Sequence, residues 1–175
     1  RPPRSTLFPY TTLFRSRLLA RTKETQVRAA QKSDLPALLD LYQHLSPGDQ
    51  SPDLPDAEAI FDQFLAYPGS VIVLCEIGSV LVGSCVLVVI PNLTRGGRPY
   101  ALIENVVTHG DFRRQGIGKR VLDFATARAW QAGCYKAMLM TGSTRPETHA
   151  FYRSAGFEPS KTGFQKRQLA AREES

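Results

Sequence analysis

Asp111-Phe112-Arg113-Arg114-Gln115-Gly116-Ile117-Gly118-Lys119-Arg120 is the stretch that decides the fold. It follows an apolar run, Tyr100 to Thr108, that reads as a strand. It opens a run with Ile117, Val121, Leu122, Ala125 and Ala129 on one face, which reads as a helix. Gly116 and Gly118 leave backbone N–H groups uncovered at that helix start. First-turn N–H groups have no partner within a helix, and the helix dipole is positive there, so negative charge is favoured. A strand, a glycine turn and a helix in this order predict a site for phosphate or pyrophosphate. The glycines have a second explanation, close packing of the helix on a strand, and the ten residues by themselves leave both open.

Outward from this stretch, the elements alternate in a consistent way. Val27–Ala30 is a short strand candidate, and Ser33 or Asp34 can cap a helix that tolerates Pro36 in its first turn. Leu35, Leu38, Leu39, Tyr42 and Leu45 recur at helical spacing. Ser46 to Pro55 reads as a loop, and a second helix follows with Ile60, Phe61, Phe64 and Leu65 on its inner side. Val71–Ile77 and Val80–Ile90 form a hairpin across Gly78-Ser79. Pro91 to Pro99 is a loop. Beyond the glycine stretch, Lys136–Met140 is a buried strand, and Thr144-x-x-Glu147 fits a capping box for a helix that stops at Gly156. Phe157 to about Lys166 reads as a final strand. The order is β-α-α-β-β-β-α-β-α-β.

Thr6 to Ser16 reads as a sequencing-adapter oligonucleotide translated in one frame, so residues 1–16 are expected to be a non-native segment and residues 17–175 a single domain. The formal net charge is +6, and Arg1, Arg4 and Arg15 carry half of it. The remaining surplus clusters at Arg113, Arg114, Lys119 and Arg120, without the interleaved aromatics of a nucleic-acid surface. The apolar run Val80–Ile90 is too short to span a bilayer. Cys75, Cys85 and Cys134 lie in apolar runs with no CxxC pair or histidine cluster, which points to reduced core residues of a cytoplasmic protein rather than a metal site or catalytic thiol.

The pattern Arg113-x-x-Gly116-x-Gly118 resembles the acetyl-CoA loop of the GNAT superfamily of N-acetyltransferases. His149-Ala150-Phe151-Tyr152-Arg153-Ser154-Ala155-Gly156-Phe157 resembles the family's FY-x-x-x-GF segment, and the element order is the family's order. The resemblance spans residues from about 26 to 166. It implies an α/β fold with a mixed central sheet of about six strands flanked by about four helices. It also implies a splay between the fourth and fifth strands that admits the pantetheine arm of acetyl-CoA, with no metal. Glu104-Asn105, Gly133-Cys134-Tyr135-Lys136 and Phe151-Tyr152 are similar to the glucosamine-6-phosphate N-acetyltransferase branch.

Acetyl transfer to an amine needs a base for the amine, donors for the charge that develops on the acyl oxygen, and a proton for the departing thiolate. The resemblance makes Tyr152 the acid; a phenol with pKa near ~10 suits a thiol leaving group. Glu104, inside an apolar strand, is the candidate base, directly or through water, unless alternation turns it to solvent. Asn105 is the adjacent polar residue for acceptor binding. The backbone of Val106, Val107 and Thr108 is expected to bind the pantetheine amides, with the Val107 N–H as an oxyanion donor. Arg113, Arg114, Gln115, Gly116, Ile117, Gly118 and Lys119 would hold the pyrophosphate, although the arginines equally suit a solvated surface. His109 reads as a loop histidine. Thr148 departs from an asparagine common near this helix; its hydroxyl or that of Ser143 would have to substitute.

A phosphorylated acceptor would require cations, and Arg95 and Arg98, or Lys161 and Lys166, are the candidates. The Ser46–Pro55 and Pro91–Pro99 loops are expected to shape the acceptor pocket. The resemblance implies a small-molecule amine acceptor ahead of a protein one, and a homodimer is common in the family. A catalytically silent acetyl-CoA sensor has the same motifs and predicts binding without turnover.

Overall fold

Strand β2 (Val71–Ile77) shows how the core is divided. Successive side chains of a strand point to opposite faces. Val71, Val73 and Cys75 accordingly enter one apolar cluster, while Ile72 and Leu74 enter another. A computed structural model describes residues 24–168, so the expectation for residues 1–16 lies outside the described residues. The described strands are β1 (Thr25–Ala29), β2, β3 (Val80–Ile90), β4 (Tyr100–Thr108) and β5 (Ala137–Leu139). The helices are α1 (Leu35–Tyr42), α2 (Leu54–Leu65), α3 (Ile117–Gln131) and α4 (Pro146–Ser154).

The sheet order is β1-β2-β3-β4-β5, antiparallel except for the parallel β4–β5 pair. Helix α3 covers one face with the five residues expected from its periodicity, Ile117, Val121, Leu122, Ala125 and Ala129. The close-packing explanation of glycines in this region applies most strongly on the neighbouring strand. A Cβ on Gly83 of β3 would lie 2.5 Å from Ile117 Cγ2. Helices α1 and α2 cover the other face through Leu35, Leu38, Ala57 and Phe61.

Three expectations are corrected. The expected final strand, Phe157–Lys166, forms no ladder, so among the described residues the sheet of about six strands has five. Pro159 lacks a backbone donor, and β5 is only three residues long, so a sixth strand would have little edge to pair with. Ile60 and Leu65 are exposed, and the inner face of α2 is Ala57, Phe61 and Phe64. The N-cap of α4 is Arg145, with no side-chain cap bond, so the Thr144–Glu147 capping box does not form.

An ion cluster joins β1 and β2 to the turn that leads into α1. Arg28 donates to both Asp34 oxygens at 2.6 and 2.8 Å and to Glu76 at 2.6 and 3.3 Å. The Arg28 hydrogen bond, helped by the Gln31 N–H, holds the Asp34 carboxyl below the usual carboxylate range. A carboxyl depressed on folding stabilises at neutral pH, and that contribution is lost as pH falls through its folded value. Arg28→Met is expected to lower stability by about 1–2 kcal/mol at pH 7. Urea titrations should show this deficit starting to shrink below about pH 4 and vanishing only once the depressed Asp34 carboxyl of the native protein is protonated.

Candidate active site

Parallel pairing of β4 with β5 covers only Ala101–Ala137, Leu102–Met138 and Ile103–Leu139. Strand β4 continues to Thr108, whereas β5 ends at Leu139, so β4 has an open edge beyond Ile103. A bulge lies at this point. Glu104 opposes Val86 and Val107 opposes Ser84, so Asn105 and Val106 share the place opposite Cys85. Asn105 takes a left-handed φ of 52°, a conformation that asparagine tolerates better than most residues.

The bulge fixes which N–H groups face outward. His109 N–H donates to Val82 O at 2.9 Å, and Val107 is two residues back on the same register. Antiparallel pairing alternates, so the Val107 N–H points to β3, and those of Val106 and Thr108 point to the open edge. By this alternation the Val107 N–H, expected as the oxyanion donor, faces β3, and that of Val106 faces the open edge.

The open edge leads to the turn before α3. Arg114 and Gly116 are left-handed, at φ 61° and 78°, with Gln115 between them. Alternation of this kind gathers backbone N–H groups into an anion-binding concavity. A left-handed arginine is strained, as residues at ligand sites often are. Gly116 is the N-cap of α3, has no side-chain cap bond, and faces open space where a Cβ would stand. Arg113, Arg114 and Gln115 are exposed. The Lys119 ammonium instead holds Asp123 at 2.8 and 2.9 Å on its own helix.

Gly118 has a different role. A Cβ there would lie 2.9 Å from Phe151 Cζ, so α3 and α4 meet at this glycine. The two sequence signatures are therefore in direct contact. The C-terminus of α4 is locked by the Phe157 N–H donating to Tyr152 O at 3.0 Å and the Gly156 N–H to Arg153 O at 2.9 Å. This double bond pattern needs a left-handed residue after the cap, which Gly156 supplies at φ 86°. The Tyr152 ring sits between Phe151, at a centroid distance of 5.0 Å, and Phe157, at 6.5 Å. Gly118→Ala is expected to destabilise by about 1–3 kcal/mol through overpacking. Phe151→Leu in the same chain should recover part of that loss, as a double-mutant cycle in urea would show.

Glu104 and Tyr152 line one cavity of about 330 Å³ together with Leu45, Ser46, Asn105 and Val106. Ala101 and Ile103 belong to the α3-side core, so alternation places Glu104 on the α1–α2 face. Tyr152 packs on the α3-side cluster. The cavity thus passes through the sheet where β4 and β5 part, with one titratable group from each face. Burial pushes the Glu104 carboxyl above the ordinary range. Burial first, then the nearby Glu104 and Cys85, push the Tyr152 phenol up as well.

The other expected residues separate into groups. Arg95, Arg98, Lys161 and Lys166 do not line this cavity; Arg95 lies over the Tyr135 ring at 5.7 Å, beside the start of β5. The Pro91–Pro99 loop contributes no lining residue, whereas the Ser46–Pro55 loop does. The Ser143 hydroxyl donates to Thr148 Oγ1 at 3.2 Å, so those hydroxyls are paired with each other. His109 stacks on His44 at a centroid distance of 4.0 Å, outside the cavity lining. Sequence reasoning missed Met140, Thr141 and Gly142, which line the cavity just past β5. The change from the apolar β5 to Thr-Gly-Ser was the available signal.

Residues 35–157 match the Acetyltransferase (GNAT) family. The chain belongs to the GNAT acetyltransferase family. It is an N-acetyltransferase by family and fold. A Trypanosoma brucei brucei protein named glucosamine 6-phosphate N-acetyltransferase is 29% identical over 137 residues, covering 77% of this chain and 89% of that protein. The solved structure of a putative acetyltransferase from Agrobacterium tumefaciens is 48% identical, with a TM-score of 0.78, covering 82% of this chain and 99% of that one. A Trypanosoma brucei acetyltransferase structure is 27% identical, with a TM-score of 0.72 and coverages of 82% and 99%. Among the described residues of this GNAT protein, no helix is long and apolar enough to cross a membrane.

Proposed function

We propose that this GNAT protein transfers the acetyl group of acetyl-CoA to a small primary amine, by direct attack of the amine while both substrates are bound. The observation that carries it is the pairing of Glu104 and Tyr152 across one cavity at the strand split. The residues present fit acetyl-CoA. The β4 edge offers an outward N–H group at Thr108 for a pantetheine amide, as an added strand would use it, and leaves that of Val106 for the acyl oxygen. The Gly116–Lys119 helix start, with Arg113 and Arg114 beside it, suits the pyrophosphate. Bound acetyl-CoA would supply an activated acyl carbon and a thiolate leaving group.

Glu104, held above the ordinary carboxylate range, removes the proton of the incoming amine. The Val106 N–H stabilises the charge that develops on the acyl oxygen. Tyr152, kept protonated by its surroundings, hands its proton to the leaving sulfur. An acetyl-enzyme has no support among the described residues. Cys75, Cys85 and Cys134 are all buried, and burial pushes the Cys85 thiol up to about 12.

The test is CoA release from acetyl-CoA with a panel of amino sugars and their phosphates, aminoglycosides, polyamines, amino acids and N-terminal peptides. Release with one class supports transfer. Acetyl-CoA binding with no release from any class would favour the silent sensor.

A further inference from the structure

We propose that His44 is a positioning residue that carries the binding of acetyl-CoA into the wall of the acceptor cavity. This rests on the acetyl-CoA site proposed above and adds a link from it to the place of the amine. His44 is the second residue past α1. Its neighbours Leu45 and Ser46 line both the 330 Å³ cavity and an adjoining one of about 210 Å³, whereas His44 lines neither. Its ring instead meets the turn that leads to the glycine stretch.

The link is a hydrogen bond and a ring contact. The Gly110 N–H donates to His44 Nδ1 at 3.4 Å, across 66 residues of sequence. The His44 ring lies on His109 at a centroid distance of 4.0 Å, and the His109 ring meets Phe112 edge-on at 5.5 Å. His109 Nδ1 in turn accepts the Asp111 N–H at 3.3 Å. Both Nδ1 atoms are therefore acceptors, and Nε2 carries the proton on each ring. On the acceptor side, the His44 N–H donates to Leu41 O at 3.0 Å. Gln43 Nε2 donates to Asp49 O at 3.1 Å and to Ser51 Oγ at 3.2 Å, so residues 43–51 fold back on the end of α1 as one piece.

On the cofactor side, the His109 N–H on Val82 O at 2.9 Å fixes the pivot to β3. Beyond it, Gly110 is tied twice. Its N–H reaches His44, and its carbonyl accepts the Arg113 N–H at 3.4 Å. Both bonds are at the long end of the range, so they open readily. The next residues hold the left-handed Arg114 and Gly116. A pyrophosphate on the Gly116–Lys119 N–H groups would select one arrangement of this turn and with it the closed state of both bonds. The amine wall is then held by His44 when acetyl-CoA is in place. By linkage, a closed wall favours acetyl-CoA by the same factor.

The experiment is amide hydrogen exchange with and without acetyl-CoA in the native protein and in His44→Phe, His44→Gln and His44→Asn. Phenylalanine keeps an aromatic ring against His109 and removes the acceptor. Glutamine is the milder loss, because its amide sits one methylene further out. Asparagine sets an amide oxygen close to the place of Nδ1. In the native protein, acetyl-CoA is expected to slow the amides of Gly110, Leu45 and Ser46 by about fivefold, the effect of one hydrogen bond. The slowing at Leu45 and Ser46 should be lost in His44→Phe and His44→Gln and return in His44→Asn. Gly116–Lys119 should slow in all four proteins, which shows that each is folded and binds. Slowing at Gly116–Lys119 but not at Leu45 and Ser46 in the native protein would overturn the link and leave the acetyl-CoA site standing. Slowing that persists without the acceptor, or that His44→Asn fails to restore, would overturn the role of His44. Unchanged exchange at Gly116–Lys119 in the native protein would overturn the acetyl-CoA site and the link with it.

Discussion

Tyr152→Phe is expected to lower kcat for CoA release by about 10²–10⁴-fold while leaving acetyl-CoA affinity unchanged. The substitution removes only the hydroxyl. The ring contacts with Phe151 and Phe157 and the backbone lock at Gly156 do not depend on it. A structural role for the tyrosine would thus survive the change, and a proton-donating role would not. The phenol is a suitable donor because burial and the neighbouring Glu104 both oppose its ionisation. Steady-state kinetics beside calorimetric acetyl-CoA binding separates the two roles. Equal kcat in both proteins would remove Tyr152 from the chemistry.

Glu104→Gln is expected to cost about 10²-fold or more in kcat/KM at neutral pH and, at the same time, to raise thermal stability slightly. Both effects have one cause. Burial raises the Glu104 carboxyl above its ordinary range, so the folded protein holds that proton more tightly than the unfolded chain does. The associated stability is present at low pH and is lost as pH rises through the folded value. At pH 7 the ionised form is therefore disfavoured by the fold, and glutamine relieves the penalty. The same sign governs activity. The base must be deprotonated, so kcat/KM in the native protein falls as pH drops through the raised value. That limb should vanish in Glu104→Gln. A lower melting temperature with an unaltered acid limb would assign Glu104 to structure instead.

Much of this architecture was legible because its signals are local. The face of α3 follows from helical spacing at Ile117, Val121, Leu122, Ala125 and Ala129, and the bounds of β2, β3 and β4 follow from Gly and Pro at their ends. The contact between the two signatures was not legible, since Gly118 and Phe151 meet only after folding. The facing of the Val107 N–H was hidden for a related reason. One extra residue at Asn105–Val106 reverses the facing of the backbone, and Glu104 and Asn105 within the strand do not by themselves announce a bulge. Ile60 and Leu65 are apolar yet exposed, because α2 packs on the sheet through only part of its apolar surface. Arg95 and Arg98 were candidates by charge alone, and loop placement, which charge does not encode, set Arg95 over Tyr135 and left both arginines out of the cavity lining at the split.

Hydrogen exchange on addition of acetyl-CoA tests most directly whether the open β4 edge and the start of α3 form one cradle. The amides of Val106 and Thr108 and those of Gly116 to Lys119 should slow together on binding, while Val107, already paired with β3, changes little. Binding that leaves Val106, Thr108 and Gly116–Lys119 at their original rates would contradict the assignment of acetyl-CoA to this edge.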